Sequence, residues 1–262
     1  MALSGGKDSA ALAVYMREKY PEIPMEYVFT DSGSELPETY DYLNRIRAIL
    51  NIKITTIRSP RNFDYWLKWF NGVLPSPSNR WCTRLLKLRP YNNWLKNKCS
   101  GTRIFSYVGF RADEDREGYQ PSADDLTPIY PFVDDGLVLK DIKRILKDTG
   151  LDLPSYYSWR QRSGCYFCFF QRGDEWRGLR THHPDLFEKA CEYEEKHSDG
   201  RLYFWRDIPR NSSQPRSLRD LSKEVSNKAV KDKKCRPLLV NSLADISIGS
   251  YKSKSLIQGG KR

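Results

Sequence analysis

Ser4-Gly5-Gly6-Lys7-Asp8-Ser9 decides how the rest of this 262-residue chain is read. A short apolar lead, Met1-Ala2-Leu3, precedes it, and an apolar helical run, Ala10-Ala11-Leu12-Ala13-Val14-Tyr15-Met16, follows. A strand, a glycine turn and a helix start together build an anion site. Two glycines let the backbone approach oxygen atoms closely. Unpaired N–H groups and the positive dipole end of the helix then face a phosphate. Ser4 and Ser9 add hydroxyl donors, and Lys7 adds a mobile positive charge. The spacing differs from G-x-x-x-x-G-K-S/T, so this is not a Walker A loop. With only three or four residues ahead of the loop, the first strand is expected to be short.

Working outward, short apolar runs alternate with longer amphipathic ones. Met25 to Thr30 reads as a strand, and Pro37 to Leu50 as a helix with Leu43, Ile46, Ile49 and Leu50 on one face. Ile52 to Ile57 reads as a strand, Phe63 to Phe70 as a helix and Asn71 to Asn79 as a loop. Leu85 to Lys98 reads as a helix and Ile104 to Gly109 as a buried strand; a further helix is expected near 139–148. This alternation predicts an α/β fold with a doubly wound, mostly parallel sheet. Ligands in such sheets sit at the carboxyl ends of the strands, where 4–9, 31–35 and 109–116 fall. We expect an α/β nucleotide-binding domain over 1–150. A cysteine-bearing segment over 151–205 is read as irregular across 151–183 and helical from Pro184 to His197. A basic extension covers 206–262.

Charge supports that division. The net charge of +11 lies almost wholly in residues 201–262, which carry 15 Lys+Arg against 5 Asp+Glu. A patch this dense suits a phosphate backbone, with Lys231, Lys233, Lys234 and Arg236 as candidate contacts. The alternative is a solvated tail with no partner. No run of about 18 apolar residues marks a membrane span, and no secretory signal is visible. A cytoplasmic protein is expected.

Beside the 4–9 loop stand further patterns. Asp31-Ser32-Gly33-Ser34-Glu35-Leu36-Pro37-Glu38-Thr39 follows the second strand. Gly109-Phe110-Arg111-Ala112-Asp113-Glu114-Asp115-Arg116 follows another, and its arginines can fork onto phosphate oxygens or pair with the neighbouring carboxylates. Arg80-Trp81-Cys82-Thr83-Arg84-Leu85-Leu86-Lys87 sets a cysteine before a basic helix start. Arg162-Ser163-Gly164-Cys165-Tyr166-Phe167-Cys168 is followed by Asp174-Glu175-Trp176. Taken in order, these resemble the signatures of the PP-loop ATP pyrophosphatases (adenine nucleotide alpha hydrolase-like) in their PAPS-reductase-like branch. The resemblance implies that Ser4, Gly5, Gly6, Lys7, Asp8, Ser9, Asp31, Ser32, Gly109, Arg111 and Arg116 bind ATP, with Lys7 and Asp8 catalytic and Mg²⁺ as cofactor. Arg84 and Lys87 are candidates for reaching a phosphate or a polynucleotide.

Six cysteines lie at 82, 99, 165, 168, 191 and 235. Inside cells a C-x-x-C is more often a metal or sulfur-chemistry motif than a disulfide. Cys82, Cys165 and Cys168 are the natural ligands of a 4Fe-4S cluster, or of zinc. Cys191 is the candidate fourth ligand, with a buried core cysteine as its alternative. About 11 residues of helix carry Cys99 about 16 Å from Cys82. Cys235 sits among cations that would lower its pKa. His182-His183 before Pro184 could ligate a metal but suits a helix start as well. Trp66, Trp69 and Phe70, at helical spacing, are expected in the core rather than on a stacking platform.

Within the resemblance, the lineage most similar is that of the DNA phosphorothioation sulfur-transfer proteins. It implies an ATP pyrophosphatase that adenylylates nucleic acid for sulfur insertion. DNA is favoured over tRNA, a cysteine desulfurase is the sulfur donor, and other modification-complex proteins are partners. A tRNA-thiolating enzyme is the near alternative. A PAPS or adenylylsulfate reductase is a second. Such reductases carry a Glu-Cys-Gly-x-His-like motif late in the chain, whereas here Cys235 is followed by Arg236-Pro237. A non-catalytic nucleotide-binding module is the third.

Overall fold

In a computed structural model the described residues are 1–99, 101–115, 126–194, 204–205 and 217–223. The chain divides into a unit of Met1–Glu224 and a unit of Val225–Arg262, the second outside the described residues.

The architecture is α/β with parallel strands, as the alternation predicts. Strand β1 (Tyr27–Asp31) pairs in parallel with β2 (Ile54–Arg58), in a register that sets Tyr27 beside Ile54 and Asp31 beside Arg58. The Met1–Leu3 lead adds a parallel bridge on the other side of β1: Leu3 N–H donates to the Val28 carbonyl at 2.8 Å. Among the described residues the remaining strands, β3 (Ile104–Tyr107) and β4 (Leu126–Ile129), form a second parallel pair. Three of the first four residues of β1 are buried, while β2 buries only Ile54.

Helix α1 (Lys7–Lys19) is apolar nearly all round, and Ala10, Ala11, Leu12, Ala13, Val14 and Met16 are all buried. Such a helix belongs in a core rather than on a surface. It packs on α6 (Leu139–Asp148). Helix α2 (Pro37–Leu50) starts with proline in its first turn and buries Thr39, Tyr42, Leu43 and Ile46, one face of a 3.6-residue period. It stops at Asn51, whose φ of 48° is the left-handed conformation asparagine tolerates at helix ends. Of the stripe predicted for α2, Ile49 instead lies outside the core at 45% exposure. With Phe29, Ile54, Phe132 and Leu151 these elements enclose one apolar core.

A second core joins distant parts of the sequence. Phe63 and Leu67 of α3 (Phe63–Trp69), Trp81 and Leu86 pack with Tyr156, Phe167, Trp176, Phe187 and Trp205. The Phe63 ring centroid lies 4.1 Å from that of Phe167 and 5.0 Å from that of Trp81. Two local readings change here. The helix expected from Leu85 begins as a π-helical turn, Thr83–Leu88, before α4 (Arg89–Cys99). The segment read as irregular over 151–183 contains a 3₁₀ turn, Ser155–Ser158, and α7 (Gly173–His182). Glycines at 173 and 178 and few apolar residues hide α7 in the sequence; it is fixed by tertiary burial of Trp176 and Leu179. Two short helices flank these: α5 (Pro131–Asp134) and α8 (Pro184–Glu192), with α9 (Leu218–Lys223) closing the described chain.

Candidate active site

The 4–9 loop turns where the lead meets α1. Gly5 has φ +70°, and a Cβ there would stand 2.5 Å from Thr39 Cγ2; a Cβ on Gly6 would stand 2.6 Å from Ser163 Oγ. Position 5 therefore requires glycine, while a side chain at Gly6 would have to displace Ser163. Ser9 holds the loop closed, taking the Ser4 N–H at 3.1 Å and donating to the Gly6 carbonyl at 3.1 Å. Gly6 caps α1 without a side-chain hydrogen bond, so the first-turn N–H groups are left for other partners. Lys7 N–H finds the Tyr157 hydroxyl at 3.2 Å.

Charges crowd this turn. The Lys7 ammonium pairs with Asp8 at 2.8 Å and stands over the Tyr157 ring at 5.4 Å, so the charge read as mobile is held. Arg111 reaches Asp8 at 2.8 Å and also pairs with Asp113 and Glu114. Of the two expectations for Arg111, pairing with carboxylates is what the structure shows, and one of those carboxylates, Asp8, belongs to the 4–9 turn. Gly109 is tightly placed, since a Cβ would come within 3.0 Å of the Asp8 carbonyl oxygen. Arg116 lies outside the described residues.

The β1 turn forms the next wall. Arg58 grips buried Asp31 through Nε at 2.8 Å and through Nη2, and Asp31 accepts from Gly33 N–H at 2.7 Å and Tyr40 hydroxyl at 2.9 Å. Burial and this carboxylate push the Tyr40 phenol above its ordinary range. An open pocket of about 430 Å³ runs from Asp31, Ser32 and Gly33 to Arg58, Arg61, Asn62 and Tyr65.

The C-x-x-C segment docks on these two turns. Tyr166 N–H donates to the Ser34 carbonyl at 2.9 Å, and Ser163 Oγ lies 3.5 Å from Ser4 Oγ. The Cys165 sulfur is 3.2 Å from Ser32 Oγ and donates to Glu35 Oε1 at 3.8 Å. Ser32 and the Lys87 ammonium reach that same oxygen, both at 2.9 Å. Burial, and then Glu35, pushes the Cys165 thiol up to about 12, partly offset by Lys87. Burial likewise raises the Cys82 thiol, and Cys168 adds to the rise. Burial works against the Lys87 ammonium, but Glu35, Cys165 and Cys168 outweigh it and its pKa rises. Cys82, Cys165 and Cys168 are thus electrostatic neighbours around one cation and one carboxylate.

Other expectations resolve differently. Lys87 points its ammonium onto buried Glu35 rather than toward a polynucleotide, whereas Arg84 is exposed. Cys191 is 2% exposed in the second core, and its leading electrostatic neighbours are Glu188, Arg219, Glu194 and Arg180. That is the setting of the core alternative. His183 bonds Glu38 at 2.9 Å, and His182 stacks on Trp159. Lys231, Lys233, Lys234, Cys235 and Arg236 lie outside the described residues. Among the described residues no three His, Cys, Asp or Glu side chains stand together as a metal-holding group. Cys82, Cys165 and Cys168, with the Lys87 cation among their electrostatic neighbours, are by chemistry ligands for a thiophilic metal.

Sequence reading missed three supports. Tyr156 donates to the Gly5 carbonyl at 2.8 Å, Tyr157 receives Lys7 N–H, and Arg160, 2% exposed, donates to the Gly164 and Cys165 carbonyls at 2.9 and 2.8 Å. Adjacent tyrosines after Leu153-Pro154 are their only local signal.

Residues 1–123 match the family model for the phosphoadenosine phosphosulfate reductase domain. The fold resembles phosphoadenylyl-sulfate (PAPS) reductase from Candida auris, solved as a phosphate complex. The TM-score is 0.50 at 14% identity, covering 63% of this chain and 79% of that one. Two uncharacterized proteins of Methanocaldococcus jannaschii are 24% and 25% identical over 88% and 76% of this chain. An uncharacterized nin region protein of Escherichia phage lambda is 26% identical over 44% of it. The matches cover 56%, 43% and 48% of these relatives, so the chain spans about half the length of the curated relatives it matches. No described helix is long and apolar enough to cross a membrane. Over residues 1–123, then, the chain is similar to the phosphoadenosine phosphosulfate reductase domain.

Proposed function

We propose that the protein is an ATP pyrophosphatase that adenylylates a nucleic-acid acceptor for sulfur insertion, with DNA phosphorothioation as the favoured setting. The observation that carries this reading is the docking of the C-x-x-C on the phosphate turn. Cys165 touches Ser32 at 3.2 Å while Ser163 abuts Gly6 and Ser4. A site that only cleaved nucleotide would have no need of thiols against its nucleotide turn.

In this reading the Gly5-Gly6 turn and α1 start hold phosphate oxygens, and Lys7 and Arg111 transfer from carboxylates to the triphosphate. The carboxylates of the site would hold Mg²⁺, which would supply further neutralisation of the triphosphate charge. An acceptor oxygen attacks the α-phosphorus; the bond to the bridging oxygen of the β-phosphate breaks and pyrophosphate leaves. A persulfide sulfur, supplied by a cysteine desulfurase, then displaces AMP. A second thiol breaks the S–S bond, leaving the new sulfur on the acceptor and a disulfide for an external dithiol to reduce. An iron–sulfur centre, or zinc, would be held by Cys82, Cys165 and Cys168 and would supply a thiophilic metal to bind sulfur.

Purified protein incubated with ATP, Mg²⁺, oligonucleotide, a persulfide-loaded cysteine desulfurase and a dithiol should release pyrophosphate and form AMP in step with sulfur incorporation. DNA and tRNA acceptors, tried separately, decide between the two settings. The family match supports a second reading, reduction of PAPS. Release of sulfite from PAPS with a dithiol, without pyrophosphate from ATP, would establish that reading and overturn the first.

A further inference from the structure

Helix α3 carries its aromatic residues on two faces. Phe63 and Leu67 fill the second core, at 2% and 8% exposure. Tyr65 and Trp69, at 38% and 66%, face outward. The expectation that Trp69 is core fails because the core positions of this short helix are already taken. The outward rings are ordered among themselves. The Arg61 guanidinium lies 4.6 Å above the Tyr65 centroid, and Tyr65 and Trp69 are nearly parallel, at 19° with centroids 6.4 Å apart. Arg61, Tyr65 and Trp69 follow at spacings of four, so cation and rings form one exposed stripe.

We infer that this stripe is a stacking platform for unpaired bases of a single-stranded polynucleotide. Two large rings exposed side by side with a cation form the kind of contiguous patch that marks an interaction site. Charge selects the partner: Arg61 and Lys68 are exposed beside the rings, while the nearby carboxylates are engaged. Asp31 is held by Arg58, and Asp64 accepts the Tyr193 hydroxyl at 2.6 Å. Rings that stack bases and cations that hold phosphates are the two components of sequence-tolerant single-strand binding. Continuity gives the site its purpose. Arg61, Asn62 and Tyr65 line the same pocket as Asp31, Ser32 and Gly33, so a strand lying along α3 leads to the nucleotide turn. The inference deepens the proposed function and rests on its nucleic-acid acceptor.

The test measures binding of the full-length protein to three probes: an oligothymidylate of about 12 nucleotides, an abasic strand of equal length, and a duplex. Wild-type protein should favour oligothymidylate over the abasic strand, and binding should quench tryptophan fluorescence. Trp69→Ala and Tyr65→Ala should each weaken oligothymidylate binding about 5- to 100-fold and leave abasic binding unchanged. Tyr65→Phe should bind as wild type. Arg61→Ala should weaken both single strands. Both rings are exposed, and unchanged circular dichroism confirms folding. Equal loss on both single strands, equal binding by wild type and ring variants, or preference for duplex would overturn the platform. So would concentration-dependent self-association abolished by Trp69→Ala, which would assign the stripe to a second copy. Pyrophosphate release from ATP is assayed separately: its absence with ring-dependent binding intact defeats the enzymatic reading alone, and its presence with ring-independent binding defeats the platform alone.

Discussion

The sulfur of Cys165 stands 3.2 Å from the hydroxyl of Ser32, across 133 residues of sequence. Ser32 also donates to Glu35, and Glu35 anchors Lys87, so the β1 turn, the π-helical turn and the C-x-x-C share one polar knot. Fixing three segments costs chain entropy. The second core, with its ring stacking from Phe63 to Trp205, supplies the apolar burial that offsets it. The C-x-x-C and the β1 turn are therefore held together by the fold.

Lys7 is the first residue to test. Its ammonium is held by Asp8 at 2.8 Å and would stabilise charge developing on the departing pyrophosphate. Lys7→Ala should lower pyrophosphate release from ATP by about 10²- to 10³-fold, the scale for removing one aimed donor. Lys7→Arg should retain part of the rate. Release by Lys7→Ala at the wild-type rate would reject the catalytic role.

Gly5 tests the loop geometry. A side chain there meets two penalties: the left-handed φ of +70° and the 2.5 Å approach to Thr39 Cγ2. Gly5→Ala should lower stability in urea by about 2 kcal/mol or more. Adding Thr39→Ser removes the offending methyl group and should restore the steric part only, leaving about 1–2 kcal/mol from the backbone. Full recovery in the double variant would show that φ carries no strain.

Arg160 holds the cysteine loop from beneath. It is buried and donates to the carbonyls of Gly164 and Cys165. Arg160→Met leaves both acceptors unpaired and should cost about 3 kcal/mol. It should also speed alkylation of Cys165 by loosening the loop. Unchanged stability would mean that water replaces the guanidinium at little cost.

Cys82, Cys165 and Cys168 are set apart from Cys191. Reconstitution with iron and sulfide under anaerobic conditions should give a brown protein with broad absorption near ~400 nm. Cys82→Ser, Cys165→Ser and Cys168→Ser should each lose most bound iron, and Cys191→Ala should keep it. In metal-free protein the Cys191 thiol is pushed up to about 12, first by burial and then by Glu188. At pH 8 it is therefore protonated, and iodoacetamide should label it only on unfolding. Loss of iron in Cys191→Ala would restore it as a ligand.

What the sequence discloses follows the range of the forces involved. The 4–9 turn, α2 and the parallel β/α alternation are legible because glycine, proline and apolar period act within a few residues. Helix α7 is not, since Trp176 and Leu179 are fixed by distant neighbours. The partners of the loop are equally hidden: nothing near Tyr156 or Tyr157 announces Gly5 or Lys7, about 150 residues away. For Trp69 the helical period is correct, but period alone does not say that Phe63 and Leu67 occupy the inner face. Lys87 looks like a surface cation until buried Glu35, 52 residues away in sequence, is seen beneath it.

The basic extension is best removed at a boundary the structure defines. Composition alone places the cut at 206, where the chain loses periodicity. Leu218 and Leu221 are nevertheless buried in the second core, and Glu194 accepts the N–H groups of both Trp205 and Leu218 at 3.0 and 2.7 Å. Deletion from 206 should therefore destabilise the protein and confound a binding assay. Truncation after Glu224 keeps the first unit whole and still removes nine Lys+Arg against two Asp+Glu. If those cations neutralise phosphates, this truncation should weaken polynucleotide binding. It should also flatten the slope of log affinity against log salt by about 0.7–0.9 for each phosphate no longer neutralised. Pyrophosphate release from ATP at saturating oligonucleotide should be unaffected. An unchanged salt slope in the truncated protein would show that the extension binds no phosphates and would leave polynucleotide recognition to Arg61, Tyr65 and Trp69.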